Sequence, residues 1–184
     1  LIEYPGGKAG SYTVPDSVTN IGSSAFTVCH GLPGITMGPN VAVIGDFAFS
    51  VCTSLTAVTL GTNVTHIGVS AFDYCTSLTN LWLPDSVSTI GSTAFESCTS
   101  LAGVIIGSNV ISLEFGAFQH CRSLTSVTIP SSVGNIGESA FAGCTSLTDV
   151  TVGNSVTNIG EDAFYYCISL TNVSIGNRVE SIGN

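Results

Sequence analysis

The chain has 184 residues, of which 44% are hydrophobic and only 8% charged, and its 3 basic and 12 acidic side chains give a net charge of −9. This acidic balance argues against nucleic acid or an anionic membrane surface as the partner. No apolar run approaches the ~18 residues of a membrane span, and the even spread of apolar residues argues against disorder. The length favours one domain, and a start without Met or an apolar signal segment is typical of a mature or excised piece.

A single motif recurs along the chain with a period of 23 residues and without insertion or deletion. Each motif has one cysteine, an Ala-Phe pair shortly before it and a leucine three residues after it. An Ile-Gly pair precedes each Ala-Phe pair, except at Leu113-Glu114. A fixed period of this length predicts a repeat architecture. The cysteines are Cys29, Cys52, Cys75, Cys98, Cys121, Cys144 and Cys167.

The first half of each repeat predicts two short strands joined by a turn. In one representative repeat Val150 and Val152 flank Thr151, which places two apolar side chains on one side of a strand and a polar one on the other. A Pro or Gly followed by Ser or Asn then supplies a turn. Val156 and Ile159 anchor the second extended piece.

The second half of each repeat predicts a short helical turn. Ala163, Phe164 and Cys167 lie at positions i, i+1 and i+4, the spacing of one apolar helix side. One repeat buries too little apolar surface to offset the entropy of ordering its backbone, so the repeats must stack. We therefore expect a right-handed α/β solenoid with a parallel strand ladder on one side and short helical or turn segments on the other.

The predicted domain spans residues 1–184 and holds about eight repeats. Residues 1–11 are expected to form a degenerate lead-in, and the C-terminal repeat is truncated at Asn184. Because solenoids need polar caps at their ends, we expect either further repeats or domains in the parent chain, or pairing of this end with another chain. The first of these is our prediction.

The repeat, written Leu-x-x-Val-x-Ile-Pro/Gly-x-x-Val-x-x-Ile-Gly-x-x-Ala-Phe-x-x-Cys-x-x, resembles the BspA-like leucine-rich repeat family. The resemblance runs from about Tyr12 to Asn184, and Leu124–Ser146 fits it without deviation. It implies a leucine-rich-repeat superhelix in a secreted or cell-surface protein. It also implies a role in adhesion, through binding of host or other partner proteins.

The seven cysteines favour neither a metal site nor a disulfide framework. Zinc ligands converge, typically at Cys-x-x-Cys spacing, and no such spacing occurs. A disulfide framework favours an even number of cysteines at varied spacings, whereas these seven share one position of the repeat. We predict buried free thiols that pack as small hydrophobic side chains.

No arrangement of residues points to catalysis. His30, His66 and His120 occupy three different positions of the repeat, so they do not converge on a Ser or Cys nucleophile. The acidic residues are scattered over positions expected to be exposed. We predict no catalytic residue, no cofactor and no metal site, and hence a protein that is not an enzyme.

The outward side chain at the centre of each first strand is a hydroxyl residue in most repeats, as at Thr59 and Thr128. Trp82 and Ile105 interrupt this row on adjacent repeats. Their outward neighbours two residues earlier are Asn80 and Gly103, so we expect open space beside the tryptophan. An exposed Trp and Ile side by side favour an interaction hot spot, unless a cap, a neighbouring chain or a crystal contact covers them, or the two substitutions are neutral drift. The full row is Thr36, Thr59, Trp82, Ile105, Thr128, Thr151 and Ser174.

A second group of departures falls in residues 101–123, where Ile111, Leu113-Glu114 and Phe115 replace the usual residues. Glu114 stands where a glycine is expected to relieve a tight bend, which predicts a locally different backbone. Phe115 also adds to the aromatic residues on the predicted helical side. That side is either a second interaction surface or a row of aromatics packed along neighbouring turns. The other aromatics are Phe47, Tyr74, Tyr165 and Tyr166.

These observations support three hypotheses of function. The first is a non-catalytic extracellular or cell-surface module that binds a protein through the strand side, centred on Trp82 and Ile105 and flanked by Asn80, Thr59 and Thr128. The second is a structural spacer within a larger surface protein. The third is a glycan-binding domain. None of the three involves nucleic acid or direct insertion into a membrane.

Overall fold

A computed structural model describes residues 9–183, so most of the predicted lead-in, as well as Asn184, lies outside the described residues. Each coil of the described chain contributes a first strand of two to four residues and a second strand of two residues. The first strands are β1 (Tyr12–Thr13), β3 (Gly34–Thr36), β5 (Ala57–Thr59), β7 (Asn80–Trp82), β9 (Gly103–Ile105), β11 (Ser126–Ile129), β13 (Asp149–Val152) and β15 (Asn172–Ser174). The second strands are β2 (Asn20–Ile21), β4 (Val43–Ile44), β6 (His66–Ile67), β8 (Thr89–Ile90), β10 (Ser112–Leu113), β12 (Asn135–Ile136), β14 (Asn158–Ile159) and β16 (Ser181–Ile182).

All the strand pairs are parallel, which confirms the predicted solenoid and strand ladder. The first strands form two sheets, β1-β3-β5 and β7-β9-β11-β13-β15, and the second strands form β2-β4-β6-β8 and β10-β12-β14-β16. Partner residues differ by 23 in number, as between Thr128 and Thr151. Each coil therefore lies on its neighbour in the same register.

The predicted α/β class and its helical segments are wrong, because residues 9–183 contain strands and turns but no helix. These residues therefore include no helix that is long and apolar enough to cross a membrane. The segment after each second strand is instead a series of turns. In the third coil, the amides of Ala71, Asp73 and Cys75 donate to the carbonyl three residues earlier. The alternate amides of Ser70, Phe72 and Tyr74 donate to carbonyls of the next coil at 2.8–3.0 Å. Every second amide is thus withdrawn from the bonds that an α-helix needs.

Two residues in each of these segments have left-handed backbone geometry, and most are not glycine. One residue lies directly before the Ala-Phe pair and one directly before the cysteine, and the φ values of those that are not glycine lie between 50° and 60°. Such geometry costs a non-glycine residue about 1–2 kcal/mol and breaks a right-handed helix. These residues are Ser24, Val28, Phe47, Val51, Ser70, Tyr74, Thr93, Ser97, His120, Ser139, Asp162 and Tyr166, with Gly116 and Gly143 at two equivalent positions.

A column of stacked phenylalanine rings runs through the core. Successive ring centres from Phe26 to Phe164 are 4.7–5.4 Å apart, and the ring planes differ by 3–15°. Tyr12 covers the ring of Phe26 at the N-terminal end, with a centroid distance of 5.8 Å. The rings from Phe26 to Phe141 are fully buried, so the column forms the continuous core of the solenoid.

The second-strand ladder is interrupted at the coil that carries Glu114. In most coils the equivalent residue is a glycine, and a Cβ on Gly137 would lie 2.7 Å from the backbone of the preceding coil. Glu114 has a Cβ atom at this position, and strands β8 and β10 are not paired in a sheet. The sequence prediction of a locally different backbone at Glu114 agrees with this interruption.

Apolar side chains of the last described coil are exposed at its outer side. Val173, Ile175 and Ile182 are 49%, 47% and 62% exposed, whereas the equivalent residues one coil earlier are at most 5% exposed. Strands β15 and β16 are also edge strands, with unpaired backbone groups on that side.

Appending one more coil is expected to raise the melting temperature. A copy of residues 139–161 placed after Asn184 keeps the register, because Asn184 is equivalent to Glu138. The added coil would cover Ile175 and Ile182 and pair with both edge strands. Calorimetry should show a rise of about 5 °C or more, since each kcal/mol shifts Tm by about 2–4 °C at this size. An equal rise with a scrambled version of the same residues would contradict this explanation.

Candidate functional site

Trp82 and Ile105 lie next to each other on the outward side of strands β7 and β9. The two residues are partners in the parallel register, and their side chains are 53% and 65% exposed. The equivalent residues in the other coils are threonine or serine, also exposed. No other part of the described chain covers this pair, so they form a local apolar patch on a polar surface.

The strand ladder is loosened on both sides of this patch. No ladder joins β5 to β7, and β9 pairs with β11 only through Gly103 and Ser126. The core residues beside these gaps, Val58 and Val104, are only half-buried, whereas most of their equivalents are buried. Val58, Val104 and Leu81 line a shallow depression beside Trp82 and Ile105. We call the patch and this depression the Trp82 site.

The predicted open space beside Trp82 is partly filled by the side chain of Asn80. A Cβ on Gly103 would lie 3.2 Å from the Asn80 Oδ1 atom, so Asn80 leans over the glycine of the next coil. The Asn80 amide donates to the Thr79 hydroxyl at 3.4 Å. Thr59 and Thr128, the other two predicted binding residues, are exposed on the coils that flank the patch. All five predicted residues thus share one side of the solenoid.

Other hydroxyls of the repeat have a structural role that the sequence did not reveal. Beside the first strands, a threonine hydroxyl in each of five coils donates to a backbone carbonyl of the preceding coil. In the last coils, Thr148 donates to Thr125 at 3.0 Å and Thr171 donates to Thr148 at 3.3 Å. Asp149 accepts hydrogen bonds from the Thr148 hydroxyl and the Asn172 amide, and these two bonds hold its pKa below the ordinary value.

The cysteines form a second ladder inside the core. None is in a disulfide; six are buried and Cys167 is half-buried. Each thiol from Cys52 onward donates to the phenylalanine carbonyl of the preceding coil, for example Cys52 to Phe26 at 2.9 Å and Cys98 to Phe72 at 3.3 Å. The prediction of small hydrophobic side chains therefore missed their function as donors.

Burial raises the pKa of every thiol in this ladder for which a shift is resolved. It raises the pKa of Cys52 to about 12 and that of Cys167 to about 11, and it raises those of the thiols between them as well. The neutral thiol is the form that donates to a carbonyl. The ladder thus keeps its thiols protonated and unreactive.

The three histidine side chains lie in different surroundings and do not form a common site. His30 bonds through Nδ1 to the Thr53 hydroxyl at 2.9 Å, and His66 lies in strand β6. The ring of His120 lies over Gly143 in the next coil, where a Cβ would be too close to Nδ1. Among residues 9–183, no group of three His, Cys, Asp or Glu side chains could hold a metal ion.

Asp73 is a partly buried carboxylate that the sequence did not single out. Its Oδ1 atom is buried without a hydrogen-bond partner. Burial, and after it the nearby Glu96 carboxylate, raises the pKa of Asp73 to about 6. The equivalent residue of the next coil is Glu96, whereas the two preceding coils have Thr27 and Ser50, so acids occupy this position on two adjacent coils only.

The aromatic residues on the turn side are partly to largely exposed. Phe47, Tyr74 and Phe115 are 46%, 49% and 43% exposed. Tyr165 and Tyr166 are more exposed still, and their rings contact each other at a tilted angle with centres 6.2 Å apart.

Comparisons with known proteins agree with the repeat pattern. A family model described as the BspA type leucine rich repeat region matches residues 6–123 and 111–184, in six copies. A leucine-rich repeat protein from T. pallidum is 31% identical in sequence to this chain. Its crystal structure matches with a TM-score of 0.84, over 90% of this chain and 79% of that chain. No curated protein matches the sequence significantly.

Two other solved structures share the architecture. A leucine-rich cell surface protein from Faecalibacterium prausnitzii is 25% identical, with a TM-score of 0.56 over 90% of this chain and 59% of that chain. A leucine-rich repeat protein from Bacteroides ovatus is 24% identical, with a TM-score of 0.64 over 95% of this chain and 62% of that chain. The chain thus spans less than two thirds of the length of these two proteins.

The free energy of unfolding is expected to fall steeply above pH 9 because of the thiol ladder. A thiol whose pKa is raised in the folded state stabilises the fold below its unfolded pKa of about 8.5 and loses that contribution as pH rises through the folded value. Each such thiol subtracts about 1.4 kcal/mol per pH unit in this range. Urea unfolding at pH 8 and pH 10 under reducing conditions measures the effect. The variant Cys75→Ala/Cys98→Ala/Cys121→Ala should show a shallower dependence on pH, and an unchanged dependence would contradict the assignment.

Replacing Asp73 with Asn is expected to stabilise the protein at neutral pH. Since the pKa of Asp73 is raised, its contribution is most favourable below about pH 4 and is lost as pH rises through about 6. Asp73→Asn should therefore melt higher than the native chain at pH 7.5, and this advantage should shrink as pH falls to 4. Melting curves of both proteins across this range provide the test. An advantage that is the same at both pH values would show that Asp73 is not the titrating group.

Proposed function

Because the chain belongs to the BspA-type leucine-rich repeat family, we propose that it is a non-catalytic, extracellular or cell-surface module that binds a partner protein through the Trp82 site. The observation that carries this proposal is the pair of exposed, in-register side chains of Trp82 and Ile105 beside a depression with an apolar floor. These residues contribute nothing to the core, so their apolar character has no evident role in folding.

The chemistry of the Trp82 site fits a protein interface. A tryptophan beside an aliphatic residue is typical of the few residues that supply most of the binding energy in such interfaces. No charged side chain occurs in strands β7 and β9, which include the outward residues Asn80 and Gly103. A partner therefore pays little to desolvate this part of the surface, and its own apolar side chain would fit over Val58 and Val104.

The cell-surface location is supported by likeness alone. The Faecalibacterium prausnitzii protein, which is 25% identical, is described as a cell surface protein. A net charge of −9 and a surface rich in Ser and Thr are compatible with that location. Adhesion to a host or to another cell would follow if the partner is a surface protein.

Glycan binding is the second candidate. An exposed tryptophan ring can stack on a sugar, and the Asn80 amide and the hydroxyls of Thr59 and Thr128 lie on the same side of the solenoid. The apolar Ile105 next to Trp82 favours a protein partner over a sugar, because it offers no hydrogen bond. A spacer role, the third alternative, requires no ligand on any surface of the chain.

The double variant Trp82→Thr/Ile105→Thr is expected to fold normally and to lose binding. Threonine occupies the equivalent positions of five other coils, so the backbone accepts it. Binding to a panel of purified extracellular proteins, measured for the native chain and for the variant, should reveal partners whose affinity falls about tenfold or more in the variant.

Two controls make this test specific. Thr36→Ala/Thr151→Ala alters the same outward positions in distant coils and should leave the affinity unchanged. A glycan array probed with the same three proteins separates the two kinds of ligand. Partners that bind the double variant as well as the native chain would refute the Trp82 site, and binding confined to glycans would favour the second candidate.

A further inference from the structure

Four residues on the turn side have strained backbones, and three of them have exposed large side chains. Val28, Phe47 and Tyr74 are 47%, 46% and 49% exposed, and Val51 is half-buried. All four have φ between 54° and 60°, a region that bulky and β-branched residues rarely adopt. We call these four residues the turn patch.

The residues of the turn patch lie on consecutive coils, and backbone hydrogen bonds link the segments that carry them. The amide of Val28 donates to the Ser50 carbonyl at 2.8 Å, directly before Val51. The amide of Val51 donates to the Asp73 carbonyl at 2.7 Å, directly before Tyr74. Phe47 joins the same group, since the Ser50 amide donates to its carbonyl at 3.1 Å.

Folding alone does not explain the residues of the turn patch. In three other coils the residue equivalent to Phe47 is a serine, for example Ser70. The residue equivalent to Val51 is also a serine in one coil, Ser97. Glycine occupies this second position at Gly143 and relieves the strain entirely. Exposed valine and phenylalanine at such positions lower stability without adding to the core, and strain of this kind is typical of functional surfaces.

The charges beside the turn patch indicate the kind of partner. Asp73 and Glu96 lie on successive coils next to Tyr74, and the Tyr74 amide donates to the Glu96 carbonyl at 2.9 Å. Residues 9–121 contain six acidic side chains and no Lys or Arg. Within the described residues the first basic side chain is Arg122, on the coil after that of Glu96. Asp73 Oδ1 is buried without a hydrogen-bond partner.

We propose that the turn patch, with Asp73 and Glu96, binds a cationic and apolar polypeptide segment. A Lys or Arg of that segment neutralises the two carboxylates, and its apolar side chains cover Phe47, Val51 and Tyr74. The Tyr74 ring also offers a face to a guanidinium group. This surface lies on the turn segments and is separate from the Trp82 site on the strands.

The probe for the test is a short blocked peptide of alternating Leu and Arg, with Leu–Glu and Ser–Arg peptides of the same length for comparison. NMR titration of the native chain should show binding of the Leu–Arg peptide, with the largest shifts at the amides of Val51 and Tyr74. The other two peptides should bind about tenfold more weakly, since one has the wrong charge and the other lacks apolar side chains. Equal binding of all three would overturn the proposal.

The variant Phe47→Ser/Val51→Ser/Tyr74→Ser separates binding from folding. Because other coils carry serine at both positions with the same backbone geometry, it should melt at about the temperature of the native chain or higher, while its affinity for the Leu–Arg peptide falls about tenfold. A lower melting temperature would show that these residues serve the fold, and unchanged affinity would show that the peptide binds elsewhere. Either result would overturn the proposal.

Two further variants test the charge and the location. Asp73→Asn/Glu96→Gln should weaken the Leu–Arg peptide severalfold without unfolding the chain. Tyr165→Ser/Tyr166→Ser removes exposed aromatics from a distant coil, one of them at the position equivalent to Tyr74, and should leave the affinity unchanged. If the Asp73→Asn/Glu96→Gln variant kept its affinity and the Tyr165→Ser/Tyr166→Ser variant lost it, exposed aromatic residues in general, rather than this patch, would attract the peptide.

Discussion

Hydrogen bonding between successive coils is the constraint on which the rest of the structure depends. Backbone amides of the turn segments reach carbonyls 22 residues ahead, threonine hydroxyls reach 23 residues back, and thiols reach 26 residues back. All these bonds require neighbouring coils to lie at the strand spacing of about 4.8 Å. The phenylalanine rings, with centres 4.7–5.4 Å apart, stack at nearly the same distance, so the polar and apolar parts of the core require the same geometry.

This regularity explains why the candidate sites lie where the pattern fails. Trp82 and Ile105 replace hydroxyl residues, and the first-strand ladder is loosened on both sides of them. Glu114 replaces a glycine that touches the preceding coil, and the second-strand ladder is interrupted there. The solenoid tolerates these departures because the buried phenylalanine column continues through the same coils. Binding surfaces can thus vary while the core remains regular.

The sequence predicted the architecture well, because a strict period fixes which positions face the core. It correctly indicated the solenoid and the parallel ladder. The helical turns were wrong, since Ala163, Phe164 and Cys167 have a spacing that also suits consecutive turns whose alternate amides bond to the next coil. Left-handed geometry at Val28 and Phe47 was not foreseeable, because these residue types normally avoid it. The exposure of Trp82 and Ile105 followed from their position in the strand, but the depression beside them did not, since it depends on how neighbouring strands separate.

The thiol ladder has a consequence for how such a chain can change during evolution. Each thiol from Cys52 onward reaches the carbonyl of one particular phenylalanine in the coil before it, so the number of residues between them is fixed. A single inserted or deleted residue would shift the strand pairing, the ring column and the thiol donors of every later coil relative to those before. Lengthening or shortening of the protein is therefore expected to occur by whole coils. Diversity in recognition must then arise from single substitutions at outward positions.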